Sequence, residues 1–415
     1  MKMHTLIKPF RALRPAPGKA AAVAAPPYDV LNTVEARHRA RGKPSSFLHI
    51  SKPEIDLPEG TDPYSPAVYA RGAENLRHLI DGGVLVRDEQ PHYYIYQLRA
   101  GEHVQTGIAC VGSVVEYDRK RIRKHEFTRP DKEDDRVRQI TALNAQTGPV
   151  LLAYRSNPEL RQIIAHNAQG IPTCEVKADD GIVHTIWMIQ DREQISAVTR
   201  IVDAMDSLYI ADGHHRSASA SRVAAARGAG NPRHSGDLDY NYFLCVAFPH
   251  DEMRILDYNR VVKDLNGLSA TDFLLRIAHQ FTVTPVAELA KPGHAGQFGM
   301  YLGGQWYRLD LHPGLIPKDP VASLDVSLLQ DHLLAPVLGI GDPRRDKRID
   351  FVGGIRGLEE LERRVNSGEM AVAFAMFPTS LEALMAVADA NQVMPPKSTW
   401  FEPKLADGLL SHVLD

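Results

Sequence analysis

Residues 212–216, Asp-Gly-His-His-Arg, put a carboxylate, two imidazoles and a guanidinium into a single turn. The apolar run Leu208–Ala211 before them reads as a strand, and the alanine-rich segment 217–227 after them reads as a helix. Gly213 lets the backbone take a positive φ that a side chain would resist. The first N–H groups of a helix lack intrahelical partners and sit at its positive end, which favours an anion such as phosphate. His214 and His215 add donors, and Arg216 has the fork geometry to grip a phosphate through two parallel hydrogen bonds. Asp212 is the candidate to accept a proton or hold a metal ion. Adjacent histidine side chains diverge, so among His125, His214, His215 and Asp212 the set favours Mg²⁺ on Asp212 over Zn²⁺.

A second cluster lies at His125-Glu126, just ahead of Thr128-Arg129-Pro130-Asp131. A hydroxyl, a proline and first-turn acids read as a helix opening, with Thr128 as its cap. Val137, Ile140 and Leu143 form that helix's apolar face, which assigns Lys132, Asp135, Arg136 and Gln139 to its other side. A carboxylate at this place, Glu126, suits a general base for a hydroxyl, and the alternative is a solvated, charge-dense helix start. A third candidate, Lys397-Ser398-Thr399, offers phosphate ligands near the C-terminus, or else follows Pro395-Pro396 as a rigid loop. Tyr28 and Asp29 either fold over the pocket or close a turn.

The elements that must position these groups alternate irregularly. Strand signals fall at 92–98, 104–117, 150–154, 173–177, 184–189 and 242–248. Helical signals fall at 32–41, 67–81, 158–167, 194–205 and 270–280, and a hairpin turns on Gly303-Gly304. With several hairpins among them, the pattern predicts a mixed α/β (α+β) fold and not a purely doubly wound one. A boundary near residue 265 divides a catalytic region, 1–265, from a C-terminal α+β region, 266–415.

Composition narrows the function. The chain has 415 residues, 44% hydrophobic and 24% charged, enough for two or three cores. Its net charge of −3 gives no basic field for nucleic acid. Its three cysteines lack metal spacing and predict reduced, packed thiols. No apolar run reaches the roughly 20 residues of a membrane helix, so the expectation is a cytoplasmic protein. No Walker A sequence is present.

The chain resembles the DUF1015 family. Pro9-Phe10-Arg11, Pro26-Pro27-Tyr28-Asp29-Val30, Lys124-His125-Glu126, residues 210–216, Tyr258-Asn259-Arg260 and residues 394–399 carry the resemblance. Asp-Gly-His-His-Arg is in turn similar to the signature of free serine kinases of the ParB/sulfiredoxin-like superfamily. That resemblance implies a ParB/sulfiredoxin-like core and nucleotide phosphates bound at Gly213, His214, His215 and Arg216. It also implies that an upstream glutamate, Glu126, activates the serine hydroxyl. ADP or ATP with Mg²⁺ is the implied cofactor, and serine or phosphoserine the substrate. A phosphoserine phosphatase is the alternative with the same site. A ParB-like regulator that binds nucleotide or nucleic acid is the alternative of another class.

Overall fold

The computed structural model describes residues 5–415. It forms two compact units, the chain up to Met253 with Pro403–Asp415, and Arg254–Glu402. The division at 265 expected from sequence falls inside the second unit, and the C-terminal tail belongs to the first. The physical reason is strand pairing. Ile255–Leu256 pairs antiparallel with Trp400–Phe401, so the chain enters and leaves the second unit side by side. Ser411–Val413 then pairs with Ala12–Leu13 and with Ala145–Gln146.

The first unit is built on a mixed sheet. Its strands are β1 (Ile7–Lys8), β2 (Tyr93–Ala100), β3 (His103–Ser113), β4 (Ile122–Arg123), β5 (Val150–Tyr154), β6 (Cys174–Lys177), β7 (Val183–Ile189), β8 (Leu208–Asp212) and β9 (Tyr242–Pro249). They lie in the order β4-β8-β5-β9-β3-β2-β7-β6, with β1 on β3. The β4–β8 and β5–β9 pairs are parallel, and β2–β3, β3–β9 and β5–β8 are antiparallel. Val150, Leu152, Leu208, Ile210, Phe243 and Cys245 fill one core with the apolar sides of the helices. Gly107 is required on β3, because a Cβ there would lie 2.4 Å from the Ala247 carbonyl oxygen on β9.

Two helices bring the candidate residues together. α1 (Pro130–Leu143) starts on Pro130 but is not capped by Thr128; Arg129 occupies the cap position, and the Thr128 hydroxyl donates to Glu133. Its polar side is also not the solvated face expected. Asp135 and Gln139 are buried, the first accepting from the Tyr69 hydroxyl and the second donating to the Ile50 carbonyl. α2 (His214–Gly230) begins three residues before the predicted helix, so His214, His215 and Arg216 form its first turn. Ser217, Ser219 and Ala220 are fully or almost fully buried, and their small side chains let α2 lie close to its neighbours. Strand β3 also ends early: Ser113 caps a short helix, Val114–Asp118, where a strand was expected to continue.

The second unit has its own six-stranded antiparallel sheet. Its strands are β10 (Tyr258–Val262), β11 (Phe281–Val286), β12 (Gln297–Leu302), β13 (Gln305–Leu311), β14 (Ile349–Gly353) and β15 (Val372–Ala375), in the order β11-β13-β12-β15-β10-β14. The β12–β13 hairpin turns on Gly303-Gly304, as its sequence demands. Val261, Tyr301, Trp306, Leu361 and Ala373 form its core. Among the described residues no helix is long and apolar enough to cross a membrane.

Candidate active site

Strand β8 delivers the acid and the glycine. Its register on β5 shifts between Ile210 and Asp212, and such an irregularity re-aims the last side chain. Gly213 then takes φ +97°, and Ser217 N–H closes the first helical bond onto its carbonyl. The N–H groups of His214, His215 and Arg216 precede that bond and open on the positive end of α2.

The four polar side chains of the turn go to different partners. Asp212 accepts from Lys404 Nζ at 3.2 Å, Arg216 Nη2 at 3.5 Å and the Gly213 N–H at 2.8 Å. Burial alone would raise its carboxyl, but Lys404 and Arg216 hold it well below the usual carboxylate range. Arg216 is partly buried, with Nη1 on the Pro149 carbonyl and Nη2 on Asp212. It therefore braces the turn from behind, and two of its donors are already engaged. Lys404 was not foreseen. It comes from the tail 403–415, 192 residues away, and no local spacing marks it.

The two histidines diverge. His215 Nε2 accepts the N–H of Arg129, the cap residue of α1, at 3.0 Å, and so joins the starts of the two helices. His214 turns the other way. Its Nδ1 lies 3.8 Å from Glu126 Oε2, and its Nε2 accepts the His125 N–H at 3.4 Å. The His125 and His214 rings meet edge to face with centroids 4.5 Å apart. Burial pushes His125 down to about 4 and drives His214 well below the ordinary imidazole range, so both are neutral at physiological pH. His125 is bonded to the Ile210 carbonyl, and its buried Nδ1 has no hydrogen-bond partner among the described residues. Glu126 is half exposed beside the buried His214, so its carboxylate faces both water and the turn. One donor atom each from His125, Glu126 and His214 fall within 4.8 Å of one another, a spacing that fits a metal ion.

Lys397, Ser398 and Thr399 belong to the second unit. Lys397 takes φ +59° with Nζ 5.5 Å from the Tyr258 ring centre, and Ser398 donates to the Pro395 carbonyl at 2.6 Å. The Ser398 carbonyl in turn accepts from Thr379 at 2.9 Å. The Lys397 carbonyl accepts from Arg260 Nη2 at 3.0 Å, so the segment is a turn whose polar groups bond to Pro395, Thr379 and Arg260 within the same unit.

Fold and site thus define a mixed α/β protein in which a strand feeds a glycine-opened helix start flanked by a glutamate and two neutral histidines. The chain belongs to the DUF1015 family, described as protein of unknown function, which matches residues 7–327. No curated protein matches it. Among solved structures it is similar to a free serine kinase in complex with AMP, with 14% identity, 73% of this chain and 92% of that chain covered, and a TM-score of 0.34. It is also similar to a conserved hypothetical protein from Pyrococcus furiosus, with 14% identity, 72% and 93% coverage, and a TM-score of 0.34. For SbnI from Staphylococcus aureus with a C-terminal truncation the identity is 13%, the coverage 72% and 85%, and the TM-score 0.36.

Proposed function

We propose that this chain transfers a phosphoryl group between a nucleotide, ADP or ATP, and a small hydroxy amino acid, serine or phosphoserine. The observation that carries the reading is the placement of Glu126 beside His214 at the opened N-terminus of α2. Phosphoryl transfer needs positioning and charge neutralisation more than covalent chemistry. The amides from His214 onward receive the transferring phosphate, and the Lys404–Asp212–Arg216 array fixes the turn that presents them. Glu126 takes the proton of the acceptor hydroxyl, and neutral His214 orients Glu126. His215 positions α1 and does not touch the reacting atoms in this assignment. Mg²⁺ usually keeps several waters and one or two carboxylates beside the nucleotide phosphates; Asp212, expected to hold it, is instead held by Lys404 and Arg216, so Glu126 is the carboxylate at the turn that would hold the ion. When bound, the ion would neutralise charge on those phosphates.

Phosphorus NMR of the full chain with ATP or ADP and L-serine tests the reading. Nucleotide-dependent phosphoserine is expected, and Glu126→Gln should lower turnover by about 10²–10⁴-fold while nucleotide still binds. A phosphoserine hydrolase is the second reading, favoured by the metal-compatible spacing of His125, Glu126 and His214. Release of inorganic phosphate from phosphoserine without nucleotide would select it over the kinase.

A further inference from the structure

Two sequence segments that the phosphate turn leaves unexplained, Tyr258-Asn259-Arg260 and residues 394–399, meet in the second unit through the bond from Arg260 to the Lys397 carbonyl. Strand β10 puts Val261 into the core with Leu361 and Ala373, so alternation turns Arg260 to the other face of the sheet. Opposite Arg260 on β14 stands Phe351, with Ile349 two residues further along the same face. The helical turns Asp325–Leu329 and Gln330–Leu334 and the Pro395-Pro396 loop border that face. Together they enclose a cleft of about 520 Å³, a volume suited to a small molecule. Val326, Leu334, Ile349, Phe351 and Pro396 make its lining mainly apolar, and Arg260 lies among them.

Arg260 is 4% exposed, yet no carboxylate pairs with it among the described residues. Its Nη1 and Nη2 donate to the Tyr258 and Lys397 carbonyls, and its Nε has no acceptor among the described residues. Burial pushes the guanidinium down to about 10, opposed by the Tyr258 phenol and by no carboxylate. A buried charge met only by neutral dipoles is costly unless a counter-ion joins it. Arg364, the other buried arginine of this unit, has what Arg260 lacks, since it donates to the carboxylates of Asp350 and Glu369. Two acids also line the cleft. Asp319 accepts from the Val321 and Ala322 amides and from Gln392 Nε2, and Asp331 is exposed. Their charges disfavour a dianion, so the lone guanidinium matches a ligand with a single negative charge.

We propose that this cleft binds a small monocarboxylate with an apolar body, its carboxylate on Arg260 and its body against Val326, Leu334 and Phe351. The site belongs to the second unit and uses none of the residues of the phosphate turn. Calorimetric titration of the full chain with hydrocinnamate, isocaproate and octanoate tests it. At least one acid should bind saturably. Its uncharged primary amide (body without charge) and acetate (charge without body) should bind about tenfold or more weakly. Octyl phosphate, with its second charge, should bind more weakly than octanoate. Arg260→Gln, which keeps a donor for the carbonyls, should remove the preference for acid over amide. Ala322→Phe, which changes no charge, should fill the cleft and lower the affinity for the acid by about tenfold or more. Circular dichroism reports the fold of both variants. Should Arg260→Gln not fold, the acid–amide comparison on the wild type and Ala322→Phe decide alone. Failure of all three acids to bind, an amide that binds as tightly as its acid, or acid binding unchanged in the folded variants would overturn the proposal. Tighter binding of octyl phosphate than of octanoate would overturn the choice of a carboxylate.

Discussion

At Asp212 two cations outweigh burial, and one of them, Lys404, lies at the far end of the chain. Replacing it tests whether that pair supports the turn. Lys404→Met should lower stability to denaturant by about 1–2 kcal/mol, since a charge-assisted bond to a partly buried acid is lost. It should also weaken ADP binding, and unchanged values of both would separate Lys404 from the site. His184 offers a cleaner titration. Burial pushes it from an ordinary 6.5 down to about 4, while Tyr96 bonds its Nδ1 at 2.9 Å. The unfolded chain then binds a proton between those two values that the folded chain does not, so stability from this group is full above 6.5 and falls as pH drops toward 4. His184→Asn retains an acceptor but cannot titrate. The stability advantage of wild type over this variant should shrink by about 3 kcal/mol between pH 7 and pH 4. A constant difference across that range in urea melts would contradict the assignment.

At the scale of elements, the strand–turn–helix around Gly213 was legible because strand β8, the glycine and the small residues of α2 each favour their place locally. The start of α2 was misplaced because two histidines directly behind a glycine are weak helix signals; only backbone geometry shows that they form its first turn. The face of α1 was misread for a different reason. Asp135, Arg136 and Gln139 are polar, but Tyr69, Tyr28 and Ile50 arrive from distant segments to bond or stack on them. Polarity patterns report burial only where buried groups are apolar. Gly213→Ala examines the turn itself. Its Cβ would sit 3.1 Å from Arg216 Nε and 3.2 Å from Val150 Cα, at a φ that side chains resist. A loss of about 1–3 kcal/mol is expected, together with weakened nucleotide binding. A variant as stable as wild type with full ADP affinity would show that the turn does not need this conformation.

At the scale of the molecule, the second unit is an insertion whose two ends meet in the Ile255–Phe401 pairing. That topology was hidden from the sequence, because pairing between residues so far apart leaves no local mark. It predicts that residues 254–402 can be replaced by a short flexible linker with the first unit still folding cooperatively. Thermal melting of the shortened protein should give a single sharp transition, and an aggregated or molten product would contradict the insertion topology. Because the shortened protein lacks Lys397, Ser398 and Thr399, its ADP affinity also reports whether that turn contributes to nucleotide binding.

Amide NMR of protein labelled at glycine and histidine, titrated with ADP, is the most direct examination of the phosphate-receiving turn. Saturable shifts of the Gly213, His214 and His215 amides are expected, larger than those of glycines and histidines elsewhere. ADP that binds while leaving these three amides unmoved would contradict the assignment of α2's N-terminus as the phosphate receptor.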